Sequence, residues 1–266
     1  MTSDDRPITV PDLIAMKSAG RKISVLTAYD YTMARLVDAA GVEAILVGDS
    51  LGMVVQGHAN TLPVTLKQMI YHGEMVARAV RRALVIVDMP FPSFHLGINK
   101  SVGNAARIVK RTGCQAVKLE GGGEQAPVIA AMVSAGIPVM GHVGLRPQSV
   151  HQLGGYRVQR DAQRLLADAK AVEQAGAFSI VLECTAAEIA DRVTAELSIP
   201  TIGIGAGAGC DGQVLVLNDL LGLTPGHVPR HVKAAADLKG EIARAVTQYR
   251  DEVRAGTFPG KEQTFR

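Results

Sequence analysis

The chain has few cysteines, little net charge and no long apolar run, and each shortage argues against a class of protein. Its three cysteines, Cys114, Cys184 and Cys210, lie far apart and lack the spacing of a metal site, a pattern typical of a reducing cytoplasm. A net charge of +3 over 266 residues argues against nucleic acid or an anionic membrane as a partner. The substrates are therefore expected to be small molecules.

Membrane and secretory segments are also missing from the sequence. No apolar stretch approaches the ~18–20 residues of a membrane span, and residues 1–9 carry no apolar signal-peptide core. Hydrophobic residues make up 47% of the chain, and no linker, charge run or internal repeat divides it. We expect one cytoplasmic domain over residues 1–266.

Short Val/Ile/Leu-rich runs bounded by turn residues predict buried strands. The eight predicted strands cover residues 23–28, 44–48, 84–88, 116–120, 138–142, 178–183, 200–204 and 212–217. Between or beside them, helical patterns cover residues 11–19, 31–40, 66–82, 101–111, 124–135, 161–175, 187–197 and 232–254. Strand and helix in alternation, with units of about 30 residues, is the pattern of a (β/α)₈ barrel.

We therefore predict an α/β fold, a (β/α)₈ TIM barrel with a short N-terminal helix and a C-terminal helix. A doubly wound open sheet also alternates strand and helix and is the rival fold. The count of eight strands and the polar residues at their ends favour the barrel. The last helix places Leu238, Ile242, Val246, Tyr249 and Val253 on one face, which would close the barrel or contact another subunit.

Charged residues and a histidine collect at the carboxyl ends of these strands, where barrel enzymes have their active sites. The residues are Asp49, Asp88, Lys118, Glu120, His142 and Glu183. Three of them, Asp49, Asp88 and Glu120, offer only oxygen ligands, which suits a hard cation such as Mg²⁺. The structural alternative is that each aspartate caps the turn that follows it.

Lys118 lies two residues before Glu120, so both side chains point to the same face of the strand. The lysine can neutralise a substrate carboxylate or enolate oxygen, form a Schiff base, or simply pair with a neighbouring acid. Glu183 follows an apolar run, which suits a general base, although a buried arginine partner is the alternative. His142 can donate to a substrate oxygen or be a structural donor.

Other features are assigned structural or secondary roles. Cys184 directly follows Glu183, but alternation along a strand should point the two apart, so a nucleophilic role is disfavoured. The glycine-rich residues 203–208 follow a late strand and lead into another strand, which excludes the dinucleotide fingerprint. His227 and His231 have metal-like spacing but no companions. Long loops at residues 51–65 and 147–160 are expected to form lids or substrate walls.

Ordered motifs from Ile23 to the C-terminal tail closely resemble those of the ketopantoate hydroxymethyltransferase family. They are Thr27-Ala28-Tyr29-Asp30, Val47-Gly48-Asp49-Ser50-Leu51-Gly52, Gln56-Gly57-His58, Leu62-Pro63-Val64-Thr65, Val117-Lys118-Leu119-Glu120-Gly121-Gly122, Gly141-His142-Val143-Gly144-Leu145, Pro147-Gln148-Ser149-Val150, Gly154-Gly155-Tyr156 and the loop at residues 203–207.

The resemblance implies a barrel of the phosphoenolpyruvate/pyruvate type and a Mg²⁺-dependent step of pantothenate synthesis. In that step 3-methyl-2-oxobutanoate receives a hydroxymethyl group from 5,10-methylenetetrahydrofolate, through a Mg-stabilised enolate, to give 2-dehydropantoate. It also implies one Mg²⁺ per subunit and a cytoplasmic homo-oligomer, commonly a decamer. The residues matched are Asp49, Asp88 and Glu120 for the metal, Asp49, Ser50, Asp88 and Lys118 for the oxo acid, and Glu183 for proton removal; we add His142 as a substrate donor.

The departures from the family pattern concern the folate-side contacts and the mobility of the lid, and they include a short loop beyond Arg160. Arg146 stands where the family usually has threonine, and Arg160 replaces a usual glycine. The nearest rival function is another barrel enzyme acting on 2-oxo acid enolates, such as a pyruvate aldolase or a lyase. A rival of a different class is a catalytically silent barrel used for binding or assembly.

Overall fold

The computed structural model describes residues 6–155, 157–226 and 228–265. Within them the chain forms two compact units, which divide between Val216 and Leu217. The prediction of a single domain over residues 1–266 stays a prediction. None of the helices in these described ranges is long and apolar enough to cross a membrane.

Eight parallel strands of the first unit form a closed barrel in sequence order, which confirms the predicted fold and excludes the open sheet. The strands are β1 Ile23–Thr27, β2 Ala44–Val47, β3 Leu84–Asp88, β4 Ala116–Lys118, β5 Val139–Gly144, β6 Ser179–Glu183, β7 Thr201–Ile204 and β8 Gly212–Leu215. Closure comes from β8 pairing with β1, where Val25 lies opposite Val214.

Helices fill the connections as the sequence pattern predicts. In the first unit they are α1 Val10–Ser18, α2 Tyr31–Ala39, α3 Leu51–Val54, α4 Leu66–Ala79, α5 Ile98–Thr112, α6 Ala126–Ser134, α7 Val150–Leu153, α8 Ala162–Gln174 and α9 Ala187–Glu196, and in the second α10 Leu217–Leu220 and α11 Leu238–Arg254. Three short 3₁₀ turns cover Gly123–Gln125, Pro147–Ser149 and Lys261–Gln263.

Capping residues explain where several helices begin and end. Asp30 accepts the Met33 amide at the start of α2, and Thr65 and Gln68 form a reciprocal capping box at the start of α4. Gly113 ends α5 with a φ of +77°, a left-handed conformation that glycine adopts without strain.

Most predicted boundaries differ from the structure by one or more residues, and three of these differences are instructive. The helix predicted at 66–82 ends at Ala79 because Val80 is already extended. The helix predicted at 232–254 begins at Leu238 because Asp237 caps it through the Gly240 amide. The strand predicted at 116–120 ends at Lys118, so Glu120 lies beyond the strand. Its neighbour Gly121 has a φ of +138°.

The barrel interior is apolar at its amino end. Inward-facing residues of the strands and three residues of the leading segment form one buried cluster: Ile8, Leu13, Met16, Ile23, Val25, Ala44, Leu46, Leu84, Ile86, Ala116, Met140, Phe178, Val181, Ile202 and Val214. The leading segment is also tied to the barrel by the Ile8 amide, which donates to the Arg82 carbonyl at 2.7 Å. This packed layer supports the opposite, carboxyl end of the barrel.

The apolar face predicted for the last helix is present but exposed. No residue of α11 is buried, and Ile242, Val246, Tyr249 and Val253 are 46–60% exposed. The two long loops each contain a short helix, α3 in residues 51–65 and α7 in residues 147–160. The Tyr156 part of the Gly154-Gly155-Tyr156 motif and His227 lie outside the described residues.

Candidate active site

Above the apolar interior of the barrel, at the carboxyl ends of the strands, the inward-facing side chains are polar; we call them the polar upper layer. Because side chains two residues apart share a face, the strands that place Ile86, Ala116, Met140 and Val181 inside also place the next inward residues there. Those next residues are Asp88, Lys118, His142 and Glu183. The register sets Asp88 opposite Lys118 on neighbouring strands. Four of the predicted side chains therefore lie at one end of the barrel.

A buried ion pair occupies the β3 and β4 ends. The Lys118 Nζ atom lies 2.6 Å from Oδ1 of Asp88, and both side chains are almost fully buried. The other oxygen, Oδ2, accepts the Asp49 amide at 3.1 Å, which links the β2 end to the pair. Both Asp88 oxygens therefore accept a hydrogen bond from the protein.

Lys118 stays charged in this setting. Burial alone would lower the pKa of Lys118, but the charges of Asp88, Glu120 and Asp49 outweigh it and raise the pKa above its usual range. A Schiff-base lysine needs a neutral amine, which this environment opposes. The geometry thus favours the electrostatic role for Lys118 over the Schiff base.

Asp49 and Glu120 form the second part of the cluster, in which no ion pair like that of Asp88 and Lys118 balances the acidic side chains among the described residues. Burial, followed by the charge of Asp88, raises the pKa of Asp49 to about 7. Burial and the charge of Asp49 raise the pKa of Glu120 well above its ordinary value. Two buried acids that resist ionisation together offer an oxygen-rich place for a cation.

Gln148 connects these two acids, and the sequence prediction did not include it. Its backbone amide donates to Oε2 of Glu120 at 3.0 Å. Its side-chain Nε2 donates to Oδ2 of Asp49 at 2.8 Å and to the carbonyl of Met89 at 3.0 Å. Gln148 sits in the 3₁₀ turn after β5, inside the loop predicted to be a wall, and its place in the Pro147-Gln148-Ser149-Val150 motif was the available signal.

His142 connects Glu120 with Glu183. Its Nε2 lies 2.9 Å from the Leu145 carbonyl and 3.3 Å from Oε2 of Glu183, and its Nδ1 lies 4.0 Å from Oε1 of Glu120. Both neighbours of Nε2 are acceptors, so Nε2 carries the proton. Burial, followed by the charge of Lys118, lowers the pKa of His142 and favours the neutral ring.

The sequence left a buried arginine as the alternative partner of Glu183, and the structure gives it a different partner. In the described part of the chain its carboxylate pairs with His142, and no arginine lies within ion-pair distance. Its side chain is 16% exposed, so the carboxylate keeps some access to the space above the barrel. This access is compatible with contact between Glu183 and a bound molecule.

Cys184 is structural rather than nucleophilic. Burial, followed by the charge of Glu183, raises the pKa of the Cys184 thiol to about 11, so little thiolate forms near neutral pH. The backbone at Cys184 has a φ of +45°, a conformation that costs free energy in a residue other than glycine. This turn ends β6 directly after Glu183.

Ser50 is placed at the same end by a tight turn after β2. Its hydroxyl lies 2.9 Å from the Tyr29 hydroxyl, a partner that the sequence prediction did not include. A side chain at Gly48 would place its Cβ 2.8 Å from Oγ of Ser50, so it would displace that hydroxyl. Glycine at position 48 therefore leaves room for the Ser50 hydroxyl in its present place.

Two other features singled out in the sequence make ion pairs within the protein. The glycine-rich loop leads to Asp211, whose carboxylate pairs with Lys17 at 2.7 Å and accepts the Thr201 amide at 2.9 Å, so it ties β7 to α1. Arg146 pairs with Glu124 on the neighbouring loop.

The fit of Mg²⁺ depends on the donor set. In residues 6–155, 157–226 and 228–265, no three His, Cys, Asp or Glu side chains converge closely enough to hold a metal by themselves. Mg²⁺ usually takes only one or two protein carboxylates and fills its octahedron with substrate and water. The Asp49 and Asp88 ends, with Glu120 nearby, fit that requirement.

Asp49→Asn is expected to stabilise the cation-free protein at pH 8 but hardly at pH 4. The pKa of Asp49 is raised from its ordinary value of 3.8 to about 7 in the folded chain, so the wild type loses stability progressively as the pH rises between those values. The variant has no such loss and should gain on the order of 2–4 kcal/mol at pH 8. Urea denaturation with a chelator present measures the free energy of unfolding of both proteins. Equal stabilities of the variant and the wild type at pH 8 would contradict the raised pKa of Asp49.

Comparisons with known proteins agree on one family. The family profile described as ketopantoate hydroxymethyltransferase matches residues 7–261. A protein named 3-methyl-2-oxobutanoate hydroxymethyltransferase from Desulforapulum autotrophicum is 56% identical over 259 residues, covering 97% of this chain and 98% of that protein. A protein of the same name from Rhodopirellula baltica is 54% identical over 258 residues, covering 97% and 96%.

Solved structures share the fold at much lower identity. The structure of 2,3-dimethylmalate lyase, a PEP mutase/isocitrate lyase superfamily member, gives a TM-score of 0.63 at 19% identity and covers 96% of this chain and 91% of that chain. Phosphonopyruvate hydrolase in complex with oxalate and Mg²⁺ gives 0.64 at 13%, covering 97% and 92%. These likenesses concern the fold alone. The profile match over residues 7–261 and the relatives at 54–56% identity indicate a hydroxymethyltransferase, and the chain belongs to the ketopantoate hydroxymethyltransferase family.

Proposed function

We propose that this enzyme transfers a hydroxymethyl group from 5,10-methylenetetrahydrofolate to 3-methyl-2-oxobutanoate, giving 2-dehydropantoate for pantothenate synthesis. The observation that carries the proposal is the joint placement of a charged lysine, a pair of crowded acids and Glu183 at one barrel end. The names of the relatives supply the substrate, and the family resemblance supplies the folate donor.

The cation proposed for this site is one Mg²⁺ per subunit. Asp49 and Asp88 would hold it, with Glu120 as a third ligand or acting through water. When bound, the ion polarises the carbonyl of a 2-oxo acid, an effect worth several kcal/mol towards enolisation. The raised pKa values of Asp49 and Glu120 support the assignment, because a cation would relieve their repulsion.

Side chains of the protein bind the oxo acid, neutralise its developing charge and remove its proton. The Lys118 ammonium and the Ser50 turn bind and orient the oxo acid, and Lys118 neutralises negative charge that develops on its keto oxygen. Glu183 accepts the proton from C3 as that C–H bond breaks, and the electron pair moves towards the carbonyl. The methylene carbon leaves the folate as its two C–N bonds break, with water supplying the oxygen on that carbon and a proton to each folate nitrogen, so that tetrahydrofolate is released. The nucleophilic C3 forms the new C–C bond to this carbon, and its oxygen takes the proton from Glu183 to become the hydroxyl.

His142 has a supporting part in this scheme. Its Nε2–H donates to the Leu145 carbonyl at 2.9 Å, and Nε2 lies 3.3 Å from Oε2 of Glu183, so the ring is fixed beside the base. Its pKa is lowered by burial first and by Lys118 second, which keeps the ring neutral and leaves Nδ1 as an acceptor. Because the one N–H of the neutral ring is used within the protein, we propose that His142 contacts the substrate through Nδ1 as an acceptor, in place of the donor role predicted from the sequence.

A turnover assay separates this function from its nearest rival. The purified protein should form 2-dehydropantoate from 3-methyl-2-oxobutanoate only when both methylenetetrahydrofolate and a divalent cation are present, and a chelator should stop the reaction. A pyruvate aldolase or related lyase would instead make or cleave a C–C bond without folate. Folate-independent turnover would contradict the proposal.

We also propose a cytoplasmic homo-oligomer, with the decamer implied by the family resemblance. The apolar stripe of Ile242, Val246, Tyr249 and Val253 on α11 supports it, because an exposed stripe of this kind is typical of a surface covered by another subunit. Sedimentation of the purified protein measures the subunit number. Neither a nucleic acid nor a membrane is proposed as a partner.

A further inference from the structure

Gln148 contacts the ends of three strands from a loop that follows a fourth. Through its amide and side chain it reaches Asp49 after β2, Met89 after β3 and Glu120 after β4. Gln148 is itself buried. A single residue in this position couples the orientations of the two crowded acids, Glu120 through its backbone amide and Asp49 through its side chain.

The orientation of the Gln148 amide group follows from its partners. Oδ2 of Asp49 and the Met89 carbonyl oxygen both accept hydrogen bonds, so the nitrogen of the amide must face them. The oxygen, Oε1, therefore points elsewhere. It is buried and has no hydrogen-bond partner among the described residues.

A buried acceptor without a partner indicates a donor that is not part of the chain. Buried polar atoms in folded proteins nearly always have a hydrogen-bond partner, and leaving one unsatisfied costs free energy. Nδ1 of His142 is a second buried atom without a partner in the described ranges, and it lies 4.0 Å from Oε1 of Glu120. The two residues that carry these unsatisfied atoms, Gln148 and His142, thus both lie next to Glu120.

We propose that Gln148 is a positioning residue for the cation proposed above, on which this inference rests. It holds Oδ2 of Asp49 and Oε2 of Glu120 with N–H groups, which leaves Oδ1 and Oε1 as the oxygens available to the cation. Its own Oε1 accepts a hydrogen bond from a water molecule in the cation's shell. Gln148 therefore determines which carboxylate oxygens face the ion.

Calorimetric titration with Mn²⁺ alone tests this role without any turnover. Gln148→Met keeps the side-chain length and the backbone amide that binds Glu120, and it removes Oε1 and the side-chain N–H donors to Asp49 and Met89. The matched control is Gln115→Met, because Gln115 is also hydrogen-bonded, through Oε1 to the Val85 amide at 2.9 Å, but precedes β4 at the opposite end of the strand. Thermal unfolding of each variant confirms that it is folded.

Substitution of an outer-shell partner typically costs about 10–100-fold in metal affinity. We expect Gln148→Met to bind Mn²⁺ at least about tenfold more weakly than the wild type, with Gln115→Met close to the wild type. The side-chain amide of Gln148→Asn is too short to reach Asp49, so this variant should show the same loss of Mn²⁺ affinity. It replaces Gln148→Met in the test if the methionine variant is unfolded.

The outcomes separate this inference from the proposed function. A smaller loss in the Gln148 variants, or an equal loss in Gln115→Met, would overturn the positioning role and leave the cation site intact. Absence of Mn²⁺ binding to the wild type would overturn the cation site and the positioning role together.

Discussion

Glu183→Gln is expected to fold like the wild type and to exchange the C3 proton of 3-methyl-2-oxobutanoate with solvent about 10²–10⁴-fold more slowly. Glutamine has the shape of glutamate, and its carbonyl oxygen can replace Oε2 beside Nε2 of His142, so packing and orientation survive. It cannot take a proton. Proton NMR of the oxo acid in D₂O, with a divalent cation and without folate, measures the exchange directly.

The matched control for this variant is Glu188→Gln. Glu188 is an exposed acid at the start of α9, five residues further along the chain, and its replacement makes the same chemical change outside the site. We expect wild-type exchange in that control. Normal exchange in Glu183→Gln would remove Glu183 from the role of base, and no exchange by the wild type would favour the silent barrel.

Lys118→Met is expected to destabilise the protein by about 3–5 kcal/mol, because it leaves the Asp88 carboxylate buried without its charge partner. The two groups lie 2.6 Å apart and are nearly inaccessible to water. The variant should also lose binding of the oxo acid, because Lys118 is the charged group proposed to hold it. Urea denaturation measures the free energy of unfolding.

Two controls identify the buried charge as the cause. Lys118→Met combined with Asp88→Asn removes both charges and should recover part of the lost stability. Lys170→Met breaks an exposed ion pair with Glu196, also 2.6 Å long with side chains 43% and 32% exposed, and should cost no more than about 1 kcal/mol. Equal losses in Lys118→Met and Lys170→Met would contradict the assignment.

The barrel and most of the polar upper layer follow from local rules. Each strand is a short apolar run, and the two-residue alternation that buries Ile86 and Val181 also turns Asp88 and Glu183 inward. Parallel pairing then brings the strand ends together. The position of these side chains was predictable because it depends on chain direction and alternation alone.

The contacts between loops were not predictable in the same way. Glu120 lies beyond β4, in a turn with a glycine at positive φ, where alternation no longer applies. Gln148 reaches Asp49 across 99 positions of sequence through a 3₁₀ turn. The pairing of His142 with Glu183 likewise depends on the side-chain torsions at two strand ends. Such contacts follow from how the loops fold over the barrel.

The apolar face of α11 illustrates another limit. Its spacing predicted an amphipathic helix, and the helix is present from Leu238 to Arg254. The pattern alone left two uses open, closure of the barrel or contact with another subunit. A periodic pattern carries no information about which surface covers the apolar face.

The central claim is that the β2, β3, β4 and β6 ends form one site for a divalent cation and a 2-oxo acid. A crystal structure with Mn²⁺ and 3-methyl-2-oxobutanoate bound, with the ion located by its anomalous scattering, tests it most directly. We predict the ion against the Asp49 and Asp88 carboxylates, the oxo acid beside Lys118, and its C3 facing Glu183. An ion and oxo acid bound elsewhere, with these side chains untouched, would contradict the account.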